Sequence, residues 1–256
     1  MKKMTVFYIF AALFFIVGAA FHVLPSEGPK VTLYSDIIAV IAAALPVIAF
    51  FYVFSYFEKG SKKVILLTFT VGLFLWLLGE VMWLYYEGLM EIDAFPSAAD
   101  FFWVLGYPTV LAALILQYRT VKVRLETLYV VGISAVILIG GLVVGILLGY
   151  PIAVYEEFTV LEKVVSMFYP IADLFLLYTA LLITGLYWAG KLGYAWLLIA
   201  VGIIFYAVGD LWFAYLEWKE IYPVVWWHPV DFAWIIGDLL VFLGAVKYRI
   251  SFEELV

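Results

Sequence analysis

The chain has no cysteine. That excludes disulfides, zinc thiolate sites and thiol nucleophiles, and leaves the redox compartment unread. It has no asparagine and a single glutamine, Gln117. Without asparagine there is no N-linked glycan, and the joint scarcity of Asn, Gln and Cys is a tendency of proteins from hot environments, so a thermophilic source is expected. Charge is also scarce, at 13% of residues. The basic residues are few and scattered, so nucleic acid is not expected as a partner. No glycine-rich phosphate loop and no His-Glu-x-x-His helix is present. No lysine interrupts an apolar run at mid-helix, so no retinal Schiff base is expected.

Apolar surface is abundant instead. Hydrophobic residues make up 68% of the 256 and aromatics 20%, and the mean hydropathy is +1.13. A soluble domain of this length has no use for so much apolar surface, which makes the chain a single polytopic membrane domain over 1–256, all-α, with the lipid bilayer as its solvent. Eight segments are long and apolar enough to span: 4–24, 33–56, 64–87, 99–118, 128–150, 161–189, 194–217 and 230–248. The first also resembles a secretory signal, with Lys2-Lys3 before it and Gly18-Ala19-Ala20 within it. Its apolar run continues through Leu24, which favours an uncleaved anchor.

The net charge of −6 hides a segregation. Lys2 and Lys3, the loops with Lys59, Lys62, Lys63, with Arg119, Lys122, Arg124, and with Lys191, and the tail with Lys247 and Arg249 fall on one side of an eight-span topology. The other side holds only Lys30, Lys163 and Lys219. The positive-inside rule then puts both termini in the cytoplasm. The outer loops are acidic and aromatic, and most of the tryptophans read as an interfacial belt.

One pattern occurs twice. Gly72, Gly79-Glu80, Glu87 and Asp100-Phe-Phe-Trp103-Val-Leu-Gly106 recur as Gly202, Gly209-Asp210, Glu217 and Asp231-Phe-Ala-Trp234-Ile-Ile-Gly237. Each copy is an apolar helix gaining a carboxylate near its end, a loop, and a second helix opening on Asp-Phe-x-Trp-x-x-Gly. Helices 3–4 thus resemble helices 7–8 in a parallel internal duplication, with repeat units of approximately 32–126 and 160–252.

Seven acids lie within or at the mouths of the expected helices: Asp36, Glu80, Asp100, Asp173, Asp210, Asp231 and Asp238. No Lys or Arg lies at comparable depth. A charge in a membrane is expensive, so each acid needs a partner, a proton or water. The plain readings are helix capping for Asp100 and Asp231, and interhelical hydrogen bonding for Glu80 and Asp210. The sharper reading is an outward-facing pocket. It is lined by Glu80, Asp100, Asp173, Asp210, Asp231 and Asp238, walled by Trp103 and Trp234, and takes a cation, a proton or an amine. His22 and His228 are the only histidines. With a neighbouring carboxylate they are candidate metal ligands.

Pro96-Ser-Ala-Ala-Asp100 followed by Gly106-Tyr107-Pro108, and Tyr169-Pro170-Ile-Ala-Asp173, resemble motifs of multi-helix membrane sensor regions that precede bacterial diguanylate cyclase and histidine kinase domains. The resemblance implies an eight-helix input module of unknown ligand. No soluble output domain is evident in these residues, so signalling would run through a separate protein. The expected function is a non-enzymatic membrane module binding a small ligand, lipid or cation, with a sensory role. The alternatives are a proton- or cation-coupled transporter and a membrane enzyme acting on lipid.

Overall fold

The computed structural model describes residues 2–23, 30–92, 95–221 and 229–254, with side chains for 4–20, 32–92, 95–221 and 230–254. Helices account for nearly all of them, and no strand occurs among the described residues. The helices are α1 (Lys2–Val23), α2 (Lys30–Ser55), α3 (Ser61–Leu89), α4 (Ala98–Thr120), α5 (Thr127–Val154), α6 (Val160–Tyr187), α7 (Gly193–Trp218) and α8 (Pro229–Glu253). Leu84–Leu89 of α3 and Gly145–Gly149 of α5 are π-helical turns. Six helices, α2 to α7, are long and apolar enough to cross a membrane. The apolar run of α1, Met4–Ala20, is shorter, and α8 carries Asp231 and Asp238 in its apolar stretch.

Helix ends follow local chemistry. Ser97 and Asp100 form a capping box on α4, as Thr159 and Glu162 do on α6, each satisfying amides that the first turn leaves unpaired. Gly60, at φ 101°, makes the turn into α3 in a conformation that side chains disfavour. Pro46, Pro108 and Pro170 lie inside α2, α4 and α6 without ending them.

Six helices close into a ring in the order α2, α3, α4, α6, α7, α8, each packing on the next and α8 returning to α2. The other two pack outside it. α1 lies against α8 and α2, with Phe7 and Phe10 set edge-on to Phe242 at 6.1 and 5.9 Å. α5 lies against α6, and its Thr127–Val144 segment buries no residue.

Lipid offers helices no hydrophobic reason to associate, so close packing and polar contacts must hold them. The α3/α4 and α7/α8 pairs show how. A Cβ on Gly72 would sit 2.6 Å from Val110 Cγ2 and 3.4 Å from the Gly106 carbonyl oxygen. A Cβ on Gly202 would sit 2.8 Å from Val241 Cγ2 and 2.9 Å from the Gly237 carbonyl oxygen. Both pairs therefore cross backbone to backbone at glycine. Toward one end the ring is filled: Phe50 stacks on Phe69 at 4.9 Å, Phe69 meets Trp196, and Gln117 Nε2 donates to Tyr187 Oη at 2.8 Å. The same end gathers cations on aromatic faces, with Arg249 3.6 Å from the Tyr56 centroid and Lys62 4.3 Å from that of Phe252. Toward the other end the ring is hollow.

The interfacial-belt reading of the tryptophans needs correcting. Trp76, Trp83, Trp103 and Trp234 line the hollow and Trp196 is in the filled core. Trp188 is 68% exposed. Trp226 and Trp227 lie outside the described residues.

Candidate functional site

The hollow is a cavity with about 100 Å³ of room for water centres. All six ring helices line it: Asp36, Ala39 and Ala43 from α2; Trp76, Glu80 and Trp83 from α3; Asp100, Trp103 and Tyr107 from α4; Tyr169 from α6; Tyr206, Asp210 and Phe213 from α7; and Asp231, Trp234 and Asp238 from α8. Six carboxyls thus face it, and among the described residues no lysine, arginine or histidine does.

The Gly-acid dipeptides have a clear local role. A Cβ on Gly79 would lie 2.3 Å from Trp103 Nε1, and one on Gly209 would lie 2.4 Å from Trp234 Nε1. Each glycine is a seat for the indole of the facing helix. The next residue takes that indole's proton: Trp234 Nε1 donates to Asp210 Oδ1 at 2.7 Å, and Trp103 hydrogen-bonds Glu80. The Trp of Asp-Phe-x-Trp and the acid after glycine therefore form one clasp, made twice.

Two contacts cross between the pairs. Trp76 precedes Gly79-Glu80 at the spacing at which Tyr206 precedes Gly209-Asp210, and Trp83 and Phe213 follow at matching spacing. Trp76 meets Tyr206 edge-on at 5.4 Å, and Trp83 meets Phe213 edge-on at 6.0 Å. Residues at i, i+4 and i+7 share a helix face, so Glu80 lies between Trp76 and Trp83, and Asp210 between Tyr206 and Phe213. The Glu80 and Asp210 level is sandwiched between two aromatic pairs, one a turn to each side.

Phenols satisfy most of the remaining acids. Tyr206 Oη donates to Asp238 Oδ1 at 2.6 Å, and Tyr169 Oη to Asp100 Oδ1 at 2.6 Å. Asp100 also accepts from the Ser97 amide at 2.7 Å, so it both caps α4 and lines the cavity. Tyr107 Oη donates to Asp210 and lies 3.0 Å from Asp173 Oδ1. Asp173 is 3% exposed and sits behind the lining. The pairs Asp100–Tyr169 and Tyr107–Asp173 are reciprocal: each of the two short motifs, on α4 and α6, supplies one acid and one phenol to the other. Ser35 Oγ donates to Asp231 Oδ2 at 2.5 Å, tying α2 to α8. Glu87, in the π-helical turn, accepts from Trp83 Nε1.

Glu80, Asp100, Trp103, Asp210, Asp231, Trp234 and Asp238 are thus brought to one cavity, with Asp173 adjoining it. His228 and the side chain of His22 lie outside the described residues. Among the described residues no three His, Cys, Asp or Glu side chains converge to hold a metal ion. Sequence reasoning missed the phenols of Tyr107, Tyr169 and Tyr206. Their available signals were the Gly-Tyr-Pro and Tyr-Pro-x-x-Asp motifs and, for Tyr206, its place opposite Trp76 in the repeat.

No protein-family model, no curated protein and no solved structure matches this chain.

Proposed function

We propose that this chain is a non-enzymatic multi-pass membrane protein of eight spans that binds a small organic cation in the acidic, aromatic cavity. The observation that carries the reading is the lining: six carboxyls, seven indole and phenol side chains and, among the described residues, no basic group. Placing one acid at mid-membrane costs about 2.5–3.5 kcal/mol on insertion scales. Phenol and indole donors offset part of that for several acids. A bound cation would offset more, and aromatic faces add about 0.5–2 kcal/mol to holding it. The acids are spread around the walls rather than gathered at one point, which favours an ammonium over a directly ligated metal ion.

Two further features support the architecture. The clasps, glycine crossings and mutual contacts of Trp76 with Tyr206 and Trp83 with Phe213 suit a parallel duplication, with a pseudo-twofold axis between α3 and α7. The charge segregation favours cytoplasmic termini and a cavity in the outer half. A sensory role through a separate signalling protein fits a module of this kind. A proton-coupled transporter is the second reading, favoured by the buried Asp173–Tyr107–Asp210 chain, in which one hydroxyl serves two carboxyls.

Native mass spectrometry from mild detergent tests the binding reading. A one-to-one organic amine is expected on the wild type and absent from Glu80→Gln and Asp210→Asn. An empty wild-type protein that takes up no added alkylammonium would contradict it. Cation uptake into proteoliposomes driven by a proton gradient would move the assignment to transport.

A further inference from the structure

The carboxyls of the cavity are not equally provided for. The donors named above reach Glu80, Asp100, Asp210, Asp231 and Asp238. Asp36 is 6% exposed, lines the cavity, and its Oδ2 is buried with no hydrogen-bond partner, as is Asp173 Oδ2 behind the lining. Asp36 lies in the electrostatic reach of Glu87, Asp231 and Glu80, and Glu80 in that of Asp238 and Asp231. The π-helical turn of α3 brings Gly88 against Asp36: a Cβ there would sit 2.8 Å from Asp36 Oδ2. Such turns recur at functional sites.

Resting on the cation-binding reading, we infer that the ligand is a linear amine with two or more ammonium groups, one of them paired with Asp36. A single positive charge beside Asp36 would leave Glu80 and Asp238 with neutral donors alone, and no basic side chain is among the described lining residues. Two or more charges along one chain would meet all three. The shape agrees, since methylenes can pass between the indole and phenol faces while ammonium ends reach the carboxyls. A linear chain also needs little width, which suits about 100 Å³ of central room.

Calorimetric titration of the detergent-purified full chain at fixed pH and salt, with 1,4-diaminobutane, spermidine and n-butylamine, tests this. The diamine and triamine should bind at least about tenfold tighter than n-butylamine. Asp36→Asn, which keeps the side chain's shape, should remove most of that preference. Equal binding of all three amines would overturn the multiple-charge inference and leave the cation pocket standing. Unchanged diamine affinity in a folded Asp36→Asn protein would remove Asp36 from the site. Binding of calcium or magnesium in place of every amine, or of nothing, would overturn the cation-pocket reading as well. The wild-type comparison stands even where the variant fails to fold.

Discussion

Replacing Gly79 or Gly209 by alanine should damage the protein at two corresponding places, for one reason. The new Cβ would lie 2.3 Å from Trp103 Nε1 or 2.4 Å from Trp234 Nε1, where ordinary contact begins near 3.4 Å. An indole is rigid, so the ring or the helix must retreat by about 1 Å, and overpacking of that order costs about 1–3 kcal/mol. Movement of the ring also weakens its bond to Asp210 or Glu80, and interhelical bonds in membranes average about 0.6 kcal/mol. Against this, alanine gains up to about 1 kcal/mol over glycine in helix propensity. The clash wins, leaving a net loss of about 0.5–2.5 kcal/mol at each site. The assay is reversible unfolding in mixed detergent micelles. Gly140→Ala on α5 is the control, because nothing lies within 4 Å of its Cβ. It should be neutral or slightly stabilising. If Gly79→Ala and Gly209→Ala matched Gly140→Ala within about 0.5 kcal/mol, the clasp geometry would be wrong. Damage at one site only would refute the equivalence of the two clasps.

Other consequences can be checked separately. In a double-mutant cycle, Tyr169→Phe and Asp100→Asn should show a coupling of about 0.5–2 kcal/mol, since Tyr169 Oη donates directly to Asp100; additive effects on unfolding would contradict the bond. Trp234→Phe should lower stability by about 1 kcal/mol and weaken amine binding, because Asp210 loses its indole donor; calorimetry on the variant reads both. Outside the spans, Tyr155 donates to Glu220 at 2.5 Å, and that bond raises its hydroxyl to about 12 from the usual 10. A raised acid is stabilising while protonated, so the contact is intact below pH 10 and is lost as pH rises through about 12. Glu220→Gln should bring the Tyr155 titration, followed by ¹³C-tyrosine NMR, back toward 10.

The helices were legible because apolar length is a strong signal. The expected segment 64–87 became Ser61–Leu89, and 161–189 became Val160–Tyr187. The acids stood out because a membrane makes any charge conspicuous. Helix neighbours were not legible. A helix apolar on most faces does not announce which face turns inward, so nothing in the sequence set α5 outside the ring or brought α2 against α8. Asp36 was noticed as an acid, but its place beside Gly88 depends on a π-helical turn with no sequence mark. The tyrosines were hidden for a related reason. In a chain with 19 of them, the three that meet carboxyls inside the ring carry only short motif signals, and their partners lie on other helices.

Anomalous diffraction from crystals grown with 2-bromoethylammonium tests the central claim most directly. A bromine peak inside the ring, between Glu80 and Asp210 and flanked by the Trp76–Tyr206 and Trp83–Phe213 pairs, is the predicted result. Well-ordered crystals with bromine only at the protein surface, and none in the cavity, would contradict it.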